Sequence, residues 1–486
     1  MIGVEKNMYD WKYIRRCLAF ILCFCVAMRL IGGDAFAIFP VLLFYAYLHR
    51  KYERVLFYVL FGALALSLNG ALVPKGGVFS IVHRGSYFLL GIIGFFQILG
   101  KRKIKVLAPL SLLFIYLAYM IIPSMDGWAP RISMLKLLLF STVFMAIISS
   151  ANLAMLNPRF DVAKLRGMFL AFAVVFILGS VVMIPFPGIS QMTPEESLLA
   201  GTETSLFRGV TGHSQWLGTL VATFAVMLFA DLCFNIQRLD RLYLALLLAC
   251  PYLIFKTSSR TGMGTMLFGL GYVVYESMKS RQLRSRWKAK LFNGLFLICI
   301  LGGIAVIVTP GLNDSVVRFA MKYDQAAKRG DFKLERAIST RKGLMDIQLE
   351  NFKKKPAIGN GFQVKEDTAD LMARRKGLVL SAPVEKGVWV SAVLEEGGAI
   401  GFLIYMMFAT TVYFVLISNR AIIGSAMFLL IHVANLGEFT MFSMSGNGGI
   451  TWTLQVLALC FDYARTRATT RCPGPQGMPW PQRKPW

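Results

Sequence analysis

Residues 213–234 read HSQWLGTLVATFAVMLFADLCF, a run in which Asp231 is the single formally charged side chain. A helix rises about 1.5 Å per residue, so about 20 such residues cover the hydrocarbon core of a bilayer. Working outward from this run, similar apolar stretches recur near 14–31, 35–48, 55–73, 79–99, 106–123, 132–151 and 167–187. They continue at 242–256, 261–278, 291–309, 389–417, 421–436 and 448–464. The second and ninth are short, and the thirteenth carries His432, so the pattern predicts an all-α polytopic integral membrane protein with about 12–14 transmembrane helices.

Composition agrees. Of 486 residues, 56% are hydrophobic and 16% charged, against about 45–50% and about 25% in soluble globular domains. A soluble enzyme, a disordered chain and a secreted disulfide scaffold are excluded. The eight cysteines, Cys17, Cys23, Cys25, Cys233, Cys250, Cys299, Cys460 and Cys472, include no CxxC pair. They give neither a disulfide framework nor a zinc site. The basic N-terminus leads into an apolar run without a small-residue cleavage site, which reads as a retained first helix.

The formal charge is +26, from 52 Lys and Arg against 26 Asp and Glu. These cations are scattered between apolar segments, so membrane topology rather than nucleic acid accounts for them. With the N-terminus inside, the cytoplasmic segments 1–16, 49–54, 101–105, 157–166, 235–241, 279–290, 419–420 and 465–486 carry 28 Lys and Arg. Outside the long loop 310–388, the other face carries only Arg29, Lys75, Arg84, Arg131, Lys136, Arg208, Lys256 and Arg260. Long loops escape the positive-inside rule. Both termini are therefore expected in the cytoplasm.

The chain divides into transmembrane helices over 1–309, an extracytoplasmic loop domain over 310–388, the last transmembrane helices over 389–464, and a tail from 465 to 486 that is expected to be disordered. Within the loop, 314–355 reads as helical, with Val316, Val317, Ala320, Tyr323, Leu334, Ile338, Leu344 and Ile347 at roughly helical spacing. Pro356 and Gly359-Asn360-Gly361 end it in a turn. No internal repeat is visible, which weighs against an inverted-repeat transporter.

The outer-face cations carry the chemistry. Arg208 and His213 stand in Phe207-Arg208-Gly209-Val210-Thr211-Gly212-His213-Ser214-Gln215, at the start of the eighth span. Lys256 and Arg260 flank the hydroxyl-rich turn Thr257-Ser258-Ser259. With Arg84, Arg131 and Lys136 they are placed to line a cationic crevice. Guanidinium forks, helix-start amides and hydroxyls together suit a pyrophosphate. The bland alternative is snorkelling to the interface, which fits Lys75 or Arg131 alone. His213 reads equally as an acid–base or phosphate-donating group and as a helix-start residue bonded to backbone. His83 is weaker, and His432 reads as a packed span residue. Four unclustered histidines give no metal signal. No P-loop, GxSxG or dinucleotide fingerprint occurs, so no cofactor is called for.

Three local patterns resemble the O-antigen ligase and Wzy-type polymerase superfamily of bacterial membrane proteins. The first is Arg208-Gly209 with Gly212-His213-Ser214-Gln215 and Leu217-Gly218. The second is Thr257-Ser258-Ser259-Arg260-Thr261-Gly262. The third runs from Ser339-Thr340-Arg341 to Pro356-Ala357-Ile358-Gly359-Asn360-Gly361-Phe362, followed by Glu395-Glu396-Gly397-Gly398-Ala399-Ile400-Gly401. The likeness covers roughly 205–405. It implies a GT-C-like helical glycosyltransferase in the bacterial inner membrane, a polyprenyl-diphosphate-linked glycan donor, an acceptor glycan, and transfer on the outer face. A flippase and a chain-length regulator are the implied partners, alongside membrane lipids. Ligases of this superfamily place a His-Asn pair about nine residues before the glutamate matching Glu396. Here that position is Gly387, preceded by Glu385-Lys386 and followed by Val388. The departure favours a polymerase of exopolysaccharide or O-antigen repeat units over an O-antigen ligase. Glu385 is a substitute base only if it is more than an exposed loop residue.

In that scheme an acceptor hydroxyl attacks the anomeric carbon, and catalysis is positioning plus stabilisation of the departing diphosphate. Arg208, Arg260 and Arg341 are the first candidates for the diphosphate, with Lys256 and Arg336 next. His213 and Glu396 are candidates to accept the hydroxyl proton; Glu396 has the alternative task of fixing the loop beside Arg341. A lipid-linked oligosaccharide flippase or polysaccharide exporter is the rival of another class, and an assembly scaffold a third. A transporter predicts ionisable groups near mid-span, whereas these cations gather at span ends.

Overall fold

The computed structural model describes residues 9–32, 36, 38–70, 72–73, 77–100, 107–157, 160–192, 206–236, 240–279, 288, 334–366, 387–437, 440–443 and 447–471. Among them every regular element is a helix. These are α1 (Trp11–Ile31), α2 (Ile38–Leu48), α3 (Tyr52–Ser67), α4 (Gly77–Gly100), α5 (Ala108–Asp126), α6 (Pro130–Leu156) and α7 (Val162–Val182). They continue as α8 (Ser214–Phe234), α9 (Arg241–Lys256), α10 (Arg260–Lys279), α11 (Leu334–Lys354), α12 (Trp389–Ser418), α13 (Ile422–Ala434) and α14 (Asn447–Arg471). Helices α5, α6, α7, α8 and α12 are long and apolar enough to cross a membrane, and α2, α13 and the stretch Gly85–Phe96 of α4 are apolar but shorter. The protein is an all-α membrane protein. The expected span 291–309 lies outside the described residues, as do Lys75 and Glu385.

The contacts group the chain into two units, one of Met1–Phe172 with Ile347–Trp486 and one of Ala173–Asp346. In the first, α4 and α6 approach through small residues. A Cβ on Gly91 would stand 2.4 Å from the Thr142 carbonyl oxygen, and one on Gly94 2.4 Å from Ser149 Oγ. The aromatic rings of Phe20, Phe24, Phe57 and Phe61 fill the space between α1 and α3. A second ring cluster joins α5, α6, α12 and the turn before α14, with Tyr116 stacked on Phe442 and edge-on to Tyr405. Asp462 of α14 accepts the Gly424 N–H at 2.8 Å, so a carboxylate reaches across to cap α13.

The second unit is built around α8, nearly all of whose residues are buried. Its one acid, Asp231, is satisfied by Tyr243 Oη at 2.6 Å and Asn235 Nδ2 at 2.7 Å. That answers how a carboxylate is carried in an apolar run: it is buried with donors on both oxygens.

One expectation needs correction. The tail was expected to begin at 465, but α14 continues to Arg471. Arg465 prolongs it by pairing with Asp462 one turn earlier, at 3.2 Å, and by donating to the Arg420 carbonyl at 2.5 Å. Of the loop segment expected to be helical, 334–354 forms α11, and the buried side chains described on it are polar. Ile347 is 56% exposed, while Gln348 and Asn351 are buried. The inward face of α11 is polar because of what it meets on α12, described below.

Opposite effects are expected from two alanines on α4. Nothing lies within 4 Å of a Cβ on Gly85, so Gly85→Ala is expected to raise stability by about 0.5–1 kcal/mol through backbone entropy. Gly91→Ala pushes against the Thr142 backbone and is expected to cost about 1–3 kcal/mol. Thermal unfolding of the detergent-purified protein measures both; equal midpoints for the two variants would refute the close α4–α6 approach.

Candidate functional site

The motifs noticed in the sequence come together in two pairs, one in each unit. In the second unit, the segment around Arg208 folds back on the end of α7. The Ser190 carbonyl accepts the N–H groups of Arg208 at 2.7 Å and Gly209 at 3.1 Å, and Met192 N–H reaches the Leu206 carbonyl at 2.9 Å. Gly209 has φ +54, and a Cβ there would lie 2.5 Å from Ser180 Oγ, so both the left-handed backbone and the contact demand glycine. Arg208 is buried, with Nε donating to the Ile189 carbonyl at 3.4 Å. Thr211 Oγ1 then bridges to the Arg208 and His213 carbonyls at 2.8 and 2.9 Å.

His213 is the N-cap of α8. Its Nδ1 accepts the Gln215 N–H at 3.3 Å, a role normally taken by Ser, Asp or Asn. With Nδ1 accepting, the neutral ring carries its proton on Nε2. That tautomer offers a donor, which suits a phosphate oxygen better than it suits proton abstraction.

The hydroxyl-rich turn meets α8 a little further on. Ser258 takes φ +51, and Ser259 Oγ accepts the Gly262 N–H at 3.1 Å, capping α10. Gly218 and Gly262 let the two helices touch. A Cβ on Gly218 would fall 2.2 Å from Ser259 Cβ, and one on Gly262 would fall 2.7 Å from the Gly218 carbonyl. Near the far ends Ser277 lies close enough to the Cys233 thiol to act on it. Helices α8 and α10 therefore run parallel, with α9 returning between them in sequence. Two capped helix N-termini stand at one end, and their dipoles add there. Arg260 is half-buried in the first turn of α10, and Lys256 is exposed at the end of α9.

In the first unit the later part of the third motif, 356–362, and the Glu-Glu-Gly-Gly stretch are complementary halves of one structure. Helix α12 is broken at Gly398, which has φ +65 and ψ −169. The turn after α11 fills the break. Asn360 and Gly361 N–H donate to the Glu395 and Glu396 carbonyls, each at 3.0 Å. Ala399 and Ile400 N–H donate to the Pro356 and Ala357 carbonyls at 2.8 and 3.2 Å. Tyr119 Oη donates to the Gly397 carbonyl at 2.9 Å. Both Gly359 and Gly398 have positive φ, and a Cβ on either would press on the facing backbone at 2.3 Å.

Glu395 and Glu396 are buried. Glu395 Oε1 accepts from Asn351 Nδ2 at 2.8 Å. Glu396 lies close enough to the Tyr116 hydroxyl to act on it electrostatically. Lys136 is also buried and donates to the Gln363 carbonyl at 2.8 Å, so it braces this turn. Arg131 is exposed. Arg336 and Arg341 stand on α11, as Arg84 does on α4, and their side chains lie outside the described residues. Thus Arg208, His213, Lys256 and Arg260 belong to the second unit and Glu396 to the first. Among the described residues, no three His, Cys, Asp or Glu side chains gather as metal ligands would.

The sequence reading did not single out Asn351, Glu395 or Tyr119. The signal available for them was the glycine pair at 397–398 inside an apolar run, which marks a helix break whose freed groups need partners. No family model matches the chain, and no curated protein matches it.

The cap and any chemical role of His213 separate by substitution. His213→Ser keeps a capping oxygen, whereas His213→Ala removes it and is expected to cost about 1 kcal/mol in thermal stability. If His213 also donates to a phosphate, both variants are expected to lose activity while only the alanine loses stability. Full activity in the serine variant would leave His213 a cap alone.

Proposed function

We propose that this protein is a glycan polymerase of the inner membrane, joining polyprenyl-diphosphate-linked repeat units on the outer face. The observation that supports it most is the parallel α8–α10 pair, whose capped N-termini share one end with Arg208, His213 and Arg260. Helix N-termini and guanidinium groups are matched to a diphosphate, and only opposite charge and N–H donors are needed to hold it.

The reaction in this reading is simple in outline. An acceptor hydroxyl attacks the anomeric carbon of the lipid-linked sugar, the glycosidic bond to the diphosphate breaks, and the hydroxyl proton passes to the departing diphosphate. Stabilising the departing diphosphate supplies most of the acceleration. Arg208 and Arg260 carry that charge, with Lys256 and the α11 residues Arg336 and Arg341 completing the set. The Nε2–H tautomer of His213 adds a donor. Glu396, fully enclosed, acts on the fold around Tyr116 rather than on a solvent-borne hydroxyl.

A ligase would use the same charges, and the position of Gly387, where ligases carry histidine, favours the polymerase. The transporter reading asks for ionisable groups free to relay protons within the spans. The acids Asp231 and Asp462 instead have fixed structural partners, Tyr243 and Asn235 for one, Gly424 and Arg465 for the other.

The test is a deletion strain complemented by wild type, Arg208→Ala or Arg260→Ala. Deletion is expected to leave single repeat units and no long chains. Each alanine variant is expected to cut polymer roughly 100-fold or more, the scale of one lost transition-state donor, at normal protein level in the membrane. Full-length glycan stranded on its lipid carrier would indicate a ligase. Intermediates trapped on the cytoplasmic face would indicate a flippase, and normal chains in both variants would refute the diphosphate site.

A further inference from the structure

Helix α11 is docked onto α12 by polar groups one turn apart. Asn351 Nδ2 donates to Glu395 Oε1 at 2.8 Å. One turn earlier, Ser391 Oγ donates to Gln348 Oε1 at 2.5 Å. All four residues are buried, and their spacing, three residues on α11 against four on α12, is that of two helical faces laid together. The Asn360 side chain ties the turn to the same place, donating from Nδ2 to the Asn351 carbonyl at 2.9 Å and the Glu395 carbonyl at 3.2 Å.

An apolar face would dock α11 as well, so the choice of polar groups has a physical consequence. Apolar contacts tolerate sliding. A hydrogen-bonded amide and carboxyl group do not, because a shift of one residue leaves buried polar groups facing nothing. Outside the pair the helix is held by exposed ion pairs, Lys355 with Asp126 and Lys354 with Glu366, each at 2.6 Å. These are solvent-screened and set position weakly.

We infer that Asn351 and Glu395, seconded by Gln348 and Ser391, are positioning residues that fix the register of α11 and so the starting point of the helix carrying Arg336 and Arg341. This rests on the transferase reading above, in which Arg341 meets the donor diphosphate. The four residues act through the helix they hold, and none of them touches substrate.

An exchange experiment on the full-length protein in proteoliposomes, with lipid-linked repeat units as donor, tests the inference. The variants are Asn351→Asp, Glu395→Gln, the double exchange Asn351→Asp with Glu395→Gln, and Arg341→Ala. Asn351→Asp places two carboxylates together and is expected to lower kcat roughly 100-fold, the cost of about a 1 Å misplacement, with KM for the donor changed far less. The double exchange restores one amide facing one carboxylate with donor and acceptor reversed, and is expected to recover most of kcat. A Cys in place of the exposed Lys342, labelled with an impermeant maleimide, reports the setting of α11 independently of turnover. Its labelling rate is expected to shift in Asn351→Asp and return in the double exchange. Normal kcat in both single variants, with Arg341→Ala inactive, would overturn the positioning role alone. Failure of the double exchange to recover either kcat or labelling would overturn it too. Normal polymer from Arg341→Ala would overturn both the positioning role and the reading of Arg341 on which it rests.

Discussion

A backbone N–H or C=O left open inside a membrane protein costs several kcal/mol, because no water is at hand to take it. Helix α12 breaks this rule at Gly398 and is repaired by another part of the chain. The freed carbonyls of Glu395, Glu396 and Gly397 receive Asn360, Gly361 and Tyr119, and the freed N–H groups of Ala399 and Ile400 receive the Pro356 and Ala357 carbonyls. Each half of this repair is useless without the other. A turn of that shape requires Gly359, a break of that shape requires Gly398, and the two glycines exist to let the backbones touch. The placement of α11, the burial of both glutamates and the bracing by Lys136 all follow from that one closure.

The second unit solves a related problem by close approach rather than by insertion. Gly218 and Gly262 bring α8 and α10 to backbone contact, and the hydroxyls of Thr257 and Ser259 fill the remaining space. Small residues at helix contacts are the usual device where lipid supplies no hydrophobic drive to associate. Its by-product is electrical. Parallel helices brought this close present their N-termini together, an arrangement that repels cations and other positive dipoles and is relieved by an anion. Arginines at such a place add to the same field instead of cancelling it.

Much of this was legible in the sequence, for definable reasons. Apolar runs of membrane length betray helices because the hydrocarbon core imposes their length and composition, and Thr257-Ser258-Ser259 read as a turn because hydroxyl side chains interrupt two such runs. Gly359-Asn360-Gly361 read correctly as a turn, but its partner was invisible. Nothing in a linear sequence says that a turn at 360 fills a helix break at 398. The glutamates show the same limit, since Glu395 makes the hydrogen bond to α11 while its neighbour Glu396 faces Tyr116. Adjacent residues on a helix point about 100° apart, so a periodicity argument cannot choose between them without knowing what each direction meets.

Apolar spacing marks α11 as a helix but does not say which of its faces turns inward. Here the inward face meets a serine hydroxyl and a carboxylate, so the residues that suit it are Gln348 and Asn351, and Ile347 turns outward. The same reasoning explains why Glu395 is tolerated. Removing one partner of a buried hydrogen bond typically costs about 1–3 kcal/mol, whereas replacing both by apolar groups is often nearly neutral. Stability alone therefore gives no reason to keep an acid and an amide at this contact. What the pair supplies and a leucine pair would not is a single allowed register. A helix bearing basic groups needs that precision when its task is to meet a small, highly charged leaving group, because electrostatic stabilisation depends on donors already standing where the charge will appear.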